Sequence, residues 1–91
     1  MSKIKLEDLM IFSQVVKHKN FSKVANHLGI VKSMISKRVS RLEADLGVRL
    51  INRSTRSMSL TEEGQTLYEY TARIQDELDG AMQAIAPSNS S

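Results

Sequence analysis

Residues 21–47 have the sequence FSKVANHLGIVKSMISKRVSRLEADLG, in which two apolar stripes follow each other across a single glycine. The first stripe places apolar residues at i, i+3, i+4 and i+7 from Phe21 to Leu28, which predicts a short amphipathic helix. Ser22 is its candidate N-cap. Gly29 follows directly, at a position where a left-handed residue would end the helix.

The second stripe predicts a helix from about Lys32 to Leu46, closed by Gly47. Its apolar residues, which share one face at ~100° per residue, are Ile35, Val39, Leu42 and Leu46. The opposite face is basic and hydroxylated, without an acidic residue before Glu43. Two short helices joined by a glycine-containing turn are typical of a helix-turn-helix.

The flanking sequence predicts a helix on each side and a β-hairpin. Leu6–Lys17 has the apolar spacing of a helix with a broad buried stripe. Residues 50–53 and 57–60 are each suited to a short strand, although the connecting turn lacks an Asn-Gly or Asp-Gly pair. Thr61 is a candidate N-cap for a last helix, Glu62 to about Ile85, which ends before Pro87. The expected fold class is therefore mainly α with a two-stranded hairpin.

The last helix has a regular apolar seam. Its members, spaced alternately by four and three residues, are Leu67, Thr71, Ile74, Leu78, Ala81 and Ile85. This seam is either a dimer interface or the lid of the domain's own core. A helix of this span is roughly 36 Å long, more than so small a domain can cover, so a homodimer is favoured. Gly80 weakens the helix locally, by about 1 kcal/mol relative to Ala.

The composition limits the function. With 41% hydrophobic and 25% charged residues, the 91-residue chain suits one globular domain. It has no cysteine, which fits a cytoplasmic location, and no apolar run of membrane-spanning length. His18 and His27 are on different predicted helices without nearby carboxylates, and the four glycines form no phosphate-binding loop. We therefore expect no metal, no cofactor and no enzymatic activity.

The charge is unevenly distributed. Residues 1–60 contain 12 Lys and Arg against 4 Asp and Glu, a balance of +8, whereas residues 61–91 contain 1 against 6, a balance of −5. A basic body joined to an acidic helix indicates that one region meets a polyanion. The alternative on charge alone is an ordinary solvated surface.

The chain from Phe21 to Gly64 resembles the N-terminal domain of LysR-type transcriptional regulators of bacteria. The motifs that carry the resemblance are FSKVA at 21–25, SKRV at 36–39, RLE at 41–43, LGVRL at 46–50, NRSTR at 52–56 and LTEEG at 60–64. With the flanking helices it covers roughly residues 4–86. It implies a winged helix-turn-helix that binds double-stranded DNA, dimerised through a long linker helix and acting on an inverted-repeat operator.

The resemblance also implies a domain organisation. Residues 1–60 would form the winged helix-turn-helix, residues 61–86 the linker and dimerisation helix, and residues 87–91 a hinge or disordered tail. The family's C-terminal effector-binding domain is absent, so we expect the chain to be part of a longer protein. A small-molecule effector would act only through that domain, and the full-length protein could assemble further into a tetramer.

Two positions depart from the family's pattern. The family usually has Gln, often followed by Pro, where this chain has Lys32-Ser33. Because Gln suits adenine and Lys suits guanine or a phosphate, base preference at Lys32 is expected to differ. Where the family often has Ser, this chain has Val31, so Ser33 is the candidate cap instead.

A helix in the major groove reads bases near its N-terminus, which makes Lys32, Ser33, Ser36 and Lys37 the candidate base contacts. In the alternative, Ser36 only satisfies a backbone carbonyl and Lys37 is solvated. The candidate contacts to the DNA backbone or the wing are Ser22, Lys23, Arg38, Arg41, Arg53 and Arg56.

Several of these backbone candidates have an alternative role. Ser22 could serve as a cap alone. The resemblance implies that Arg56 lies at the wing tip, against the DNA backbone or minor groove, while Arg53 could instead brace the hairpin. Arg38 and Arg41 are either phosphate clamps or intramolecular partners of Glu43 or Asp45.

A protein–protein interaction module is the rival function, because winged helices serve that purpose too and five methionines suit an adaptable surface. The basic, acid-free face of the predicted third helix argues against it.

Overall fold

The computed structural model describes residues 4–52 and 58–87. In chain order its elements are α1 (Leu6–His18), α2 (Phe21–Leu28), α3 (Lys32–Leu46), β1 (Ile51–Asn52), β2 (Ser59–Leu60) and α4 (Glu62–Ile85). The two strands are antiparallel, with Ile51 opposite Leu60 and Asn52 opposite Ser59. The predicted fold class, mainly α with a small hairpin, is confirmed. The strands are shorter than predicted, and their predicted ends at residues 53 and 57 lie outside the described residues.

The core lies between the first three helices and the start of the hairpin. From α3 it takes Ile35, Val39 and Leu42, all fully buried as predicted, while Leu46 packs against it half-buried. The other fully buried apolar side chains are Phe12, Val15, Val24, Leu50 and Ile51. Because α3 buries these residues against α1 and α2, its opposite face is left to solvent.

The ends of α2 and α3 differ from the prediction. Asn20 caps α2, and its Oδ1 accepts from the Lys23 backbone N–H at 2.9 Å. The prediction of Ser22 as cap is wrong, because Asn is at least as good a cap and its position lets the helix begin at Phe21. Gly29 ends α2 with φ +73, as predicted.

At the start of α3, Val31 occupies the N-cap position with no side-chain cap. The prediction of Ser33 as cap is wrong, because Ser33 already lies inside the first turn. The backbone carbonyl of Val31 accepts from the Met34 N–H at 3.0 Å, so the helix begins at Lys32.

The beginning of α4 is tied to the hairpin. Thr61 caps the helix as predicted: its Oγ1 accepts from the Gly64 N–H at 2.9 Å and donates to the Arg49 carbonyl at 2.6 Å. Gly64 is buried against the Leu50 backbone, where a Cβ would overlap the Leu50 carbonyl. The direction in which α4 leaves the domain is therefore set by residues on both sides of the hairpin.

Candidate nucleic-acid interface

The outer face of α3 presents the predicted base-reading residues. Lys32, Ser33 and Lys37 are exposed. Ser33 and Lys37 lie on the side of the helix away from Ile35 and Val39, whereas Lys32 lies at the N-terminus of the helix, closer to the apolar face. Ser36 is only partly exposed, and it takes part in an interaction within the chain. These four residues, the reading strip, are neighbours on the first turns of α3, with Lys32 and Ser36 nearer to its apolar face than Ser33 and Lys37. Both roles predicted for Ser36, base contact and internal bonding, fit this placement.

The first turn of α2 contains two of the predicted phosphate contacts. Ser22 and Lys23 are both exposed there. The turn is the positive end of the helix dipole, which favours an anion such as a phosphate. Because Asn20 does the capping, the Ser22 hydroxyl is not needed for that purpose. Contact of these two residues with phosphates stays a prediction.

Arg38 and Arg41 reach from α3 to the first turn of α1. Arg41 approaches the Asp8 carboxylate with Nε 3.1 Å from Oδ2 and Nη2 3.0 Å from Oδ1. The Arg38 Nη1 lies 3.1 Å from the same Oδ1. Asp8 is the carboxylate that holds both guanidinium groups, so the prediction of Glu43 or Asp45 as their intramolecular partner is wrong. The partner lies 30 or more residues away, beyond the reach of local sequence patterns.

Glu43 has a different role from the one its position in α3 suggests. Its side chain is buried, and Oε2 accepts from the backbone N–H groups of Leu50 at 2.8 Å and Ile51 at 3.1 Å. Arg49 Nε lies 3.9 Å from the same oxygen. A carboxylate that satisfies two buried amides fixes the beginning of the hairpin to the end of α3. The sequence did not predict this contact, because a glutamate on an amphipathic helix is usually exposed to solvent.

The two arginines of the wing, Arg53 and Arg56, lie outside the described residues, and their contacts stay predictions. The strands that flank them are placed by Ile51, which is buried, and by Leu60, which packs against the core. Strand β1 thus begins beside the end of α3, because the Ile51 N–H donates to Glu43 of that helix.

The predicted seam of α4 divides into two parts. Thr71 is fully buried and Leu67 packs half-buried against the core. Beyond them Ile74 is 38% exposed, Leu78 39% and Ile85 76%, and Ala81 is exposed. Met82, which the spacing of the seam does not include, is 58% exposed on the same stretch. Half of the helix therefore has an apolar surface that this copy of the chain leaves uncovered.

The two histidines are closer together than the sequence indicated. The rings of His18 and His27 are 6.4 Å apart between centroids, because α1 and α2 end side by side. Within residues 4–52 and 58–87, no group of three or more His, Cys, Asp or Glu side chains could hold a metal ion. No helix in this part of the chain is both long enough and apolar enough to cross a bilayer.

Within the described residues, four helices, a short hairpin after the third helix and an exposed basic face on that helix define a winged helix-turn-helix protein. Residues 6–65 match the family described as "Bacterial regulatory helix-turn-helix protein, lysR family". The chain belongs to this family and is a LysR-type helix-turn-helix DNA-binding domain, of the kind used in transcription regulation.

Relatives of this chain are whole regulators. It is 43% identical over 79 residues to the HTH-type transcriptional regulator PtxR of Pseudomonas aeruginosa, which covers 87% of this chain and 25% of PtxR. It is 45% identical over 75 residues to CrgA of Neisseria meningitidis, which covers 82% of this chain and 25% of CrgA. The chain thus spans about a quarter of the length of these relatives.

Solved structures agree with the fold. The chain is similar to the BenM DBD in its complex with catB site 1 DNA, with a TM-score of 0.83 at 28% identity, over 97% of this chain and 98% of that one. It is also similar to full-length AphB of Vibrio cholerae, with a TM-score of 0.82 at 30% identity, over 90% of this chain and 28% of AphB. These likenesses confirm the winged helix-turn-helix and the family resemblance.

Proposed function

We propose that the chain recognises an inverted-repeat operator as a homodimer, with α3 of each copy in the major groove and each wing on the DNA backbone or minor groove. The observation that carries this proposal is the contrast between the two faces of α3. On its apolar face Ile35, Val39 and Leu42 are fully buried, and its outer face is exposed, basic and free of acidic side chains along its first turns. The outer face of such a helix has little apolar surface for a protein partner, and its positive charge suits a polyanion.

The base contacts that we propose are Lys32, Ser33, Ser36 and Lys37. Lysine reaches the O6 and N7 acceptors of guanine, and short hydroxyls allow a close approach to base edges. Lys37 is the strongest candidate because it is exposed at the centre of the outer face. Lys32 is the residue at which base preference should differ most from that of relatives with Gln.

The phosphate contacts that we propose are Ser22 and Lys23 on α2 and Arg56 on the wing, with Arg53 either contacting DNA or bracing the hairpin. Phosphate contacts position the protein without reading sequence. For Arg38 and Arg41, the alternative of an intramolecular pair is supported by the contacts with Asp8.

The dimer that we propose is built on the second half of α4. The exposed apolar residues there are the remainder of an a/d seam, and two copies related by a two-fold axis would bury it. Two-fold symmetry then requires an inverted repeat in the DNA.

For the whole protein, we propose the following arrangement. Residues 1–60 form the DNA-binding domain and residues 61–86 the linker helix, residues 87–91 begin a hinge, and an effector-binding domain lies beyond. The regulator would work in the cytoplasm without catalytic activity, and further assembly to a tetramer would involve the effector domain.

The proposal is tested by replacing a proposed base reader and a proposed phosphate contact in parallel. An operator is first selected from random duplex DNA, and affinities for it, for mismatched variants and for random duplex are measured at several salt concentrations. Lys37→Ala should lower discrimination by about 1–3 kcal/mol at one or two base pairs. Arg56→Ala should weaken binding to all sequences alike and reduce the salt slope by about 0.9.

If both variants lose affinity without any change in base preference, Lys37 is not a base reader. Lys32→Gln is the third arm, and its preferred base should shift from guanine toward adenine at one position. Binding to random duplex DNA that does not depend on salt, or no binding at all, would favour a protein–protein interaction module.

A further inference from the structure

We infer that Asp8 is a positioning residue for DNA recognition: it fixes the rotation of α3 about its own axis and holds Arg38 and Arg41 away from phosphates. This inference rests on the proposed placement of α3 in the major groove. Asp8 itself lies on α1, on the far side of the arginines from the reading strip, and it need not touch DNA.

The geometry around Asp8 is that of a buried anchor. Its side chain is 1% exposed, in the first turn of α1, where a carboxylate is favoured by the helix dipole. Arg41 grips it as a fork, with Nη2 3.0 Å from each carboxylate oxygen and Nε 3.1 Å from Oδ2. Arg38 adds a contact of 3.1 Å to Oδ1, and its Nη1 also lies 3.3 Å from Glu7 Oε1. Planar, fork-like pairs of this kind specify geometry as well as charge.

Asp8 limits the rotation of α3 about its axis because of the positions of the two arginines on that helix. Arg38 and Arg41 are three residues apart, so both project toward α1 on the same side of the helix. Lys37 is four residues before Arg41, which places it about 40° from Arg41 around the axis. The apolar face of Ile35, Val39 and Leu42 holds α3 on the core. Any rotation over that apolar surface would break the fork, and the same rotation would swing Lys37 away from the base edges.

The anchor also removes charge from the edge of the reading strip. The two guanidinium groups face the carboxylates of Asp8 and Glu7, so the four groups balance in formal charge. Arg41 is 45% exposed, close enough to solvent to reach a phosphate if it were released. Because phosphate attraction is independent of sequence, holding these cations back favours the operator over random DNA.

The test compares Asp8→Asn with Glu7→Gln in the 91-residue chain. The control removes a neighbouring carboxylate that is 65% exposed and contacts only the edge of the same cluster. Affinities for the selected operator and for random duplex are measured as a function of salt, with circular dichroism and thermal unfolding on the same samples.

For Asp8→Asn we expect a steeper salt dependence on random duplex, by about 0.9 for each phosphate that a released arginine contacts. We also expect the ratio of operator to random affinity to fall by about threefold to tenfold. Glu7→Gln removes one charge from the edge of the cluster but leaves the contacts of Arg41 with Asp8 intact, so it should change both quantities clearly less than Asp8→Asn does. A variant Asp8→Asn that unfolds at a lower temperature but keeps the parent's ratio and salt slope would overturn the inference, because the role would then be purely structural.

A second variant, Arg41→Gln, keeps the inference testable if Asp8→Asn does not fold. It removes the fork but leaves Asp8 paired with Arg38. We expect a lower discrimination ratio and an unchanged salt slope. A salt slope reduced by about 0.9 with the ratio intact would identify Arg41 as a phosphate clamp and overturn the inference. If the parent chain itself yields no selected operator, the proposed function fails and the role of Asp8 fails with it.

Discussion

The two halves of α4 have the same secondary structure and opposite surroundings. In the first half, Gly64 touches the Leu50 backbone and Thr71 is fully buried, with its hydroxyl donating to the Tyr68 carbonyl at 3.1 Å. In the second half, a Cβ added to Gly80 would meet nothing within 4 Å, and Ile85 is 76% exposed. The apolar seam continues through both halves without a break.

This difference shows that an apolar stripe does not by itself define a core. The stripe of α3 is covered by the domain along its length, and the rest of that helix is mostly polar. The stripe of α4 continues past the end of the domain, into a segment whose neighbours are acidic, Asp76, Glu77 and Asp79. An exposed apolar row with acidic flanks suits a protein partner, whereas the basic outer face of α3 suits DNA.

The largest effect should come from Gly64→Ala. The new Cβ would collide with the Leu50 backbone carbonyl, which cannot move without shifting β1. We expect the free energy of unfolding to fall by about 3 kcal/mol, as overpacking against a rigid neighbour does. Chemical denaturation at a fixed protein concentration measures it. A change within the error of the parent value would show that the start of α4 is less tightly held than the structure indicates.

The second effect concerns Leu78→Ala, in the uncovered half. Since Leu78 makes no contribution to the buried core, the folded domain should keep its helicity and its binding to a single half-site. The dimer should weaken by about 2 kcal/mol, or about thirtyfold in Kd, because two copies of the side chain lose buried area. Sedimentation equilibrium measures this change, with Asp76→Ala on the acidic flank as the matched control. A monomeric parent chain at micromolar concentration would contradict the proposed dimer.

The smallest effect is the counterpart of the first. Gly80→Ala makes the same substitution in the same helix, but at a position that is exposed and open. We expect it to raise the helix content and to stabilise the second half by about 1 kcal/mol. Amide hydrogen exchange of residues 76–84 reports this locally. If Gly80→Ala instead weakens the dimer, the two helices approach each other closely at that glycine.

Local periodicity predicted most of the fold. Helix α3 was predicted with its observed bounds and α4 with its Thr61 cap, because both depend on residues a few positions apart. The caps of α2 and α3 were misplaced by two residues each. For α2, Asn20 and Ser22 are both good caps, and the local sequence does not decide between them. The wing was predicted in its place, with strands longer than the two residue pairs observed.

The contacts that hold the site together could not be predicted in the same way. Asp8 meets Arg38 and Arg41 across 30 and 33 residues, and the carboxylate of Glu43 turns inward onto Leu50 and Ile51. Both depend on how whole elements pack, and no pattern within one helix encodes that packing. The exposure of the outer face of α3 was easier to predict, because the polar face of an amphipathic helix almost always contacts water or a partner.

One series of hydrogen bonds runs from α3 to α4: Glu43 holds Leu50 and Ile51, and Thr61 joins Arg49 to Gly64. In a dimer built on α4, this series makes each half of the assembly stiff between its reading helix and its two-fold axis. The distance along the duplex between the two reading helices would then be set by the protein's own hydrogen bonds. An operator with one base pair added between its half-sites would have to twist or bend to fit, because these bonds fix the position of α4 relative to α3.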